Sequence, residues 1–283
     1  MVVAPSARIS LLDGFALHLP DGRSGPPAEV PRAVQRLVAH VCLHRRRPRA
    51  LVAGHLWPEV PEDHAHGSLR SALWRLQRIA PGLLTTAGDA LSVADGVAVD
   101  VQEVDEWALR ARDPRTDARE LRVAPHRVDG DLLPGWYDDW VLVERERLRQ
   151  TTLHALEVVA HRLADAGHHG EALEAAYAAV RMEPLRESAH RTLVRVHVAE
   201  GNLAEARRAY EAFRDLLADE LGVAPSTQMV VLAARLPRPR RGPATGPGPT
   251  RPPRTAPEVA LPPAPVVLRR RVPTPRTAVD AAD

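Results

Sequence analysis

The feature that most constrains this 283-residue chain is a 34-residue self-similarity in which Gly167 matches Gly201, Glu171 matches Glu205, Ala172 matches Ala206 and Ala175 matches Ala209. A repeat of this length is a pair of packed helices that cannot bury its apolar face alone and therefore stacks on a neighbour. The glycine permits the turn between paired helices, and the small alanines let the helices approach closely. Pro184 ends the first unit, and Phe213 stands at a usually small position of the second. Such a short stack needs closing helices, expected over residues 140–166 and after Pro225.

The N-terminal third has a different grammar. Ile9 and Leu11, then Phe15, Leu17 and Leu19, alternate with polar or small residues about Asp13-Gly14, which is a hairpin signature. Residues 20–31 read as a loop. Ala33, Val34, Leu37, Val38, Val41 and Cys42 then mark one face of a helix over 32–44. A second helix is expected over 50–57, stopped by Pro58, and a third over 64–80, ended by Pro81-Gly82. Residues 83–93 read as a second hairpin turning at Ala87-Gly88-Asp89. A strand pair, three helices and a hairpin make the plan of a winged helix. The expected fold class is mainly α with a small β component: a winged helix over 1–100, then an α-helical tetratricopeptide-like domain over 101–236. The tail over 237–283 holds 13 of the 27 prolines and is expected to be disordered or polyproline-like.

In a winged helix the last helix enters the major groove and the hairpin reaches the adjacent backbone, so the chemistry must lie on the third helix's outer face. Arg70, Ser71, Arg75, Gln77 and Arg78 supply donors and acceptors suited to base edges. Trp74 shares that face, with packing against its neighbours the commoner use of such a residue. Arg45, Arg46, Arg47 and Arg49 form a cluster suited to phosphate, and Thr85 and Thr86 of the hairpin are further phosphate donors. Net charge does not carry this reading. All 38 basic residues are arginine, the formal charge is +2, and nine arginines fall in the tail against Glu258, Asp280 and Asp283. The remainder is slightly acidic, so placement of the arginines decides.

Other chemistry finds little support. Cys42 is the only cysteine and sits in an apolar run, as a core residue does. Nothing approaches the roughly 20 apolar residues of a membrane span, and the start lacks a secretory pattern, which leads us to expect a cytoplasmic protein. The histidine pairs His64/His66 and His168/His169 lack the i, i+4 spacing about a glutamate that zinc proteases use. No nucleophile elbow occurs, and no phosphate-binding loop is available without lysine. The expectation is no catalysis, no cofactor and no metal. Trp136, Tyr137 and Trp140 in PGWYDDW are expected to pin the repeat domain against its neighbour.

Long strings then match a known family. LHRRRPRALVAGHLWPEVPEDHAHGSLRSALWRLQRIAPGLLTT resembles the OmpR-type winged helix of the Streptomyces antibiotic regulatory protein family. GDLLPGWYDDWVLVERERLRQ, from Gly130 to Gln150, and the segment from Glu183 to Ser226 are similar to that family's bacterial transcriptional activator domain. The resemblance implies a regulator that binds direct repeats in double-stranded promoter DNA and activates by contacting RNA polymerase, with a second copy on the DNA. The wing departs from the family's frequent Gly-Tyr pair, having Asp89-Ala90-Leu91 instead. The alternative is an interaction adaptor whose winged helix no longer binds DNA.

Overall fold

In the computed structural model, which describes residues 7–19, 29–121, 128 and 130–236, the N-terminal alternation becomes strands β1 (Arg8–Ser10) and β2 (Ala16–His18). They pair antiparallel with Ile9 opposite Leu17, and Asp13 and Gly14 at the turn both take positive φ. Helix α1 (Arg32–His44) buries Val34, Leu37, Val38, Val41 and Cys42, the face read from their spacing. Next come a two-residue strand β3 (Arg47–Pro48), α2 (Arg49–Leu56) and α3 (Glu62–Ile79). The second hairpin is β4 (Leu84–Ala87) and β5 (Ala90–Val93), turning at Gly88 with φ 64°.

Two pairings connect these pieces. β3 joins β5 in a sheet ordered β3-β5-β4, so the arginine segment between α1 and α2 is the third strand of the wing. A further strand, β6 (Ala98–Val99), runs parallel to β1 and leads directly into α4 (Asp100–Arg112). One hydrophobic core consequently combines Ile9, Leu17 and Val38 with Val101, Val104, Leu132, Trp136 and Val141. A second unites α1, α2 and α3 with the wing through Leu37, Val52, Leu56, Leu69, Ala72 and Leu91.

The remainder is helical. α5 (Asp139–Asp165) and α6 (His169–Met182) form one hairpin, and α7 (Glu187–Glu200) with α8 (Leu203–Leu221) forms the next; α9 (Thr227–Ala234) follows. Gly167 and Gly201 sit at the two equivalent turns with φ 79° and 86°, a backbone region that glycine enters without strain. Ala172, Ala176 and Ala179 are buried where α6 packs between α5 and α7. The larger Phe213 fills the equivalent place in the second unit and stacks on His190 at 4.1 Å. The fold is therefore mainly α with a small β component, a winged helix followed by tetratricopeptide-like helices. Among the described residues no helix is long and apolar enough to cross a membrane. The expected disorder of 237–283 lies outside the described residues, as does most of the expected 20–31 loop.

The PGWYDDW segment divides its work. Trp136 is 6% exposed, lies near Phe15 at 6.5 Å and has the Arg32 guanidinium 3.5 Å above its ring. Trp140 packs against both N-terminal cores. Tyr137, by contrast, is 79% exposed and pins nothing. Arg145 holds the segment by donating to the carbonyls of Leu132, Leu133 and Trp136. Asp138 bonds Arg36 at 2.5 Å, tying the start of α5 to α1.

Candidate nucleic-acid interface

α3 separates its two faces cleanly. Ala65, Leu69, Ala72 and Leu76 are buried, whereas Arg70, Ser71, Trp74, Arg75, Gln77 and Arg78 are all exposed. The helical repeat of 3.6 residues puts these two sets on opposite sides. Trp74 is 61% exposed and does not pack against the wing or the preceding helix; the Arg78 guanidinium lies 5.0 Å from its ring centroid. That is an open cation–π pair in which the ring steadies the arginine. The Ser71 hydroxyl donates to the Gly67 carbonyl at 3.0 Å, so its proton is engaged within the helix and its lone pairs face outward.

The arginines of this face differ from many in the helical domain. Among the described residues, none of Arg70, Arg75 and Arg78 has a carboxylate partner. In the helical domain, Arg147 pairs with Asp105 and Glu144, Arg149 with Glu146 and Glu183, Arg186 with Glu157, and Arg191 with Glu187.

The arginine cluster upstream of α2 is built into the wing. Arg47 pairs with Leu91 in the sheet, and Arg46 donates to the Ala87 carbonyl at 3.5 Å. Arg49 donates through its backbone to Asp89 and through its guanidinium to the Thr86 hydroxyl at 3.2 Å. Thr85 shares a hydrogen bond with Ser92 across the hairpin at 3.0 Å. Arg45 makes a loose, exposed pair with Glu106 at 3.7 Å, which contributes little. Arg46, Arg47 and Arg49 thus meet the two threonines about one small sheet, while Arg45 turns toward α4. The sequence signal that β3 existed was weak, because two residues are too few to show alternation.

A second cluster lies on the same domain, away from the outer face of α3. Among the described residues neither His64/His66 nor His168/His169 belongs to a gathered group, but His40, His44 and His55 converge, with one ligand-competent atom from each within 4.8 Å of the others. Burial, and then the adjacent His44 and His55, push the His40 pKa down to about 3, so the ring is neutral. The i, i+4 spacing of His40 and His44 was the available signal; the approach of His55 from α2 had none.

Comparison with known proteins agrees with this architecture. Residues 98–236 match the bacterial transcriptional activator domain. Regulatory protein AfsR of Streptomyces coelicolor is 32% identical over 205 residues, 68% of this chain and 20% of that protein. Regulatory protein AfsR of Streptomyces griseus is 30% identical over 208 residues, 68% of this chain and 21% of that one. The chain spans about a fifth of the length of these relatives. A solved structure, Mycobacterium tuberculosis EmbR in complex with low affinity phosphopeptide, has a TM-score of 0.60 at 19% identity. It covers 81% of this chain and 64% of that chain, a likeness of fold.

Proposed function

This chain belongs to the Streptomyces antibiotic regulatory protein family, and from that premise we propose that it is a transcription regulator that binds double-stranded promoter DNA through its winged helix. In this reading α3 lies in the major groove, with Arg70, Arg75, Gln77 and Arg78 toward base edges and Ser71 accepting. Arg46, Arg47 and Arg49, with Thr85 and Thr86, hold phosphates from about the wing sheet, and Arg45 does so from the end of α1. The helical domain engages RNA polymerase or a second copy, as family resemblance suggests, and the protein works in the cytoplasm without catalysis or cofactor.

The observation that carries this proposal is the absence of carboxylate partners for Arg70, Arg75 and Arg78 among the described residues, on the exposed face of the last helix of a winged helix. An arginine already bonded to a carboxylate must break that pair to take phosphate. One without such a partner gains charge-assisted hydrogen bonds and counterion release at no such cost.

A mobility-shift titration of the full chain on its own upstream region tests the proposal. Arg75→Ala should cost about 1–3 kcal/mol on the specific site if it reads a base. Arg46→Ala should weaken all sequences alike and reduce the salt slope by about 0.9 per lost phosphate contact. Absence of sequence-dependent binding even at low salt rejects DNA recognition and leaves the interaction-adaptor reading.

A further inference from the structure

Three imidazoles meet where the winged helix touches α5. His40 and His44 lie one turn apart on α1, hence on one face, and His55 comes from α2. His40 Nε2 is 3.2 Å from His55 Nδ1. The two nitrogens share a hydrogen bond, and zinc–nitrogen bonds of about 2.0–2.1 Å in a tetrahedron set ligand nitrogens roughly 3.3 Å apart, so a metal ion can replace the shared proton with little movement. His44 Nδ1 is 3.0 Å from the His40 carbonyl. A carbonyl can only accept, so the proton sits on Nδ1 and the Nε2 lone pair is left for another partner. That outer hydrogen bond is the usual way a ligand imidazole is oriented.

The surroundings supply a fourth donor and a reason for the site. Glu144 on α5 stands just outside the three-histidine group, with Oε1 3.7 Å from His44 Nε2; its Oε2 accepts from Arg147 at 2.6 Å, which leaves Oε1 to turn to an ion. His40 is fully buried, an uncommon place for a polar ring that leucine could replace. Trp140 covers one side with its ring 5.2 Å from that of His40. An open cleft of about 590 Å³, lined by His44, His55, Trp140 and Glu144 among others, gives solvent access from the other side.

We propose that His40, His44 and His55, with Glu144 as fourth donor, bind a divalent transition metal of the zinc class and so cross-link α1 and α2 to α5. Three imidazoles and one carboxylate suit Zn²⁺, and Co²⁺ is its spectroscopic substitute in the same geometry. The ion joins the two helices behind the wing to the first long helix of the repeat domain. Metal occupancy then stabilises the contact between the two halves of the chain.

The test is a Co²⁺ titration of the chelator-treated full chain, followed by displacement with Zn²⁺. One equivalent should bind with the intense visible bands of a four-coordinate site, and Zn²⁺ should bleach them. His44→Gln and His55→Gln, both at positions that reach solvent, should each weaken binding by about 100-fold or more, and Glu144→Gln by about 10-fold. His168→Gln should change nothing. Zn²⁺ should raise the melting temperature of the parent protein and not that of His55→Gln, while circular dichroism verifies that the variants fold. Failure to develop the bands below millimolar Co²⁺, or equal binding by parent, His44→Gln and His55→Gln, overturns the proposal. Neither readout involves DNA, so the outcome is independent of the promoter-binding reading.

Discussion

The Asp100 carboxylate accepts hydrogen bonds from the Leu11 amide, at 3.0 Å through one oxygen and 2.8 Å through the other, across 89 residues of chain. It also accepts from the amides of Leu12 at 3.0 Å and Val101 at 2.8 Å. Asp100 is buried, and burial pushes its carboxyl above the ordinary value while the three amides pull it down. The first residue of α4 therefore closes the end of the first strand and commits the helical half to the N-terminal sheet. Replacing Asp100 with Ala strands buried amides at about 1–3 kcal/mol each, so a total loss of about 3 kcal/mol or more is expected in urea unfolding. Asp100→Asn keeps one acceptor oxygen and should lose less. A loss under about 1 kcal/mol for the alanine variant would show that water replaces the clasp.

Two tryptophans should behave in opposite ways. Trp136 is buried between Phe15 and Arg32, and truncation to Ala should cost about 3–5 kcal/mol. Trp74 is exposed on α3, and Trp74→Ala should shift stability by less than about 0.5 kcal/mol. Parallel thermal melts distinguish them, and a large loss at Trp74 would mean that its face is packed in solution.

The helix turns offer a sharper contrast. Nothing lies within 4 Å of a Cβ built at Gly201, so Gly201→Ala pays only for its φ of 86°, about 1–2 kcal/mol. Gly170 also has room and no positive φ, and as the second residue of α6 it can become Ala with a gain of about 0.4–1 kcal/mol, chiefly by restricting the unfolded chain. Chemical denaturation of both variants checks the sign reversal.

Acid should weaken the repeat domain through His190. Its ring is buried against Phe213, its Nε2 lies 2.8 Å from the Pro184 carbonyl, and burial holds its pKa below the ordinary value despite that bond. With the folded pKa below the unfolded one, near 6.5, the unfolded chain takes up the proton first. The stability His190 contributes is complete above about pH 6.5 and drains away as pH falls toward the folded pKa. Urea midpoints at pH 7.5 and 5.5 should fall with acid, and His190→Leu should flatten that fall. An unchanged slope in His190→Leu would assign the acid sensitivity to other groups.

Much of this architecture was legible in the sequence because it rests on local periodicity. The spacing of Val34, Leu37, Val38, Val41 and Cys42 located α1 residue for residue, and Asp13-Gly14 marked the first turn. Gly167 and Gly201 announced the repeat because only a residue at ease with positive φ serves those turns. Trp74 was less legible: an aromatic at an outer helical position carries no mark of whether a neighbour reaches it.

The residues alone were enough to place the three N-terminal helices, the long helix near 140–166 and the 34-residue helix-pair repeat, and to show that arginines gather on one helix face and one short loop. Those are properties of residues a few positions apart, written in the 3.6-residue and two-residue periods. Tertiary structure alone decided that Arg47-Pro48 becomes the wing's third strand, that Asp100 clasps Leu11, and that His40, His44 and His55 face one another. Backbone pairing has no side-chain signature over two residues, and convergence of groups from separate helices depends on how their buried faces pack.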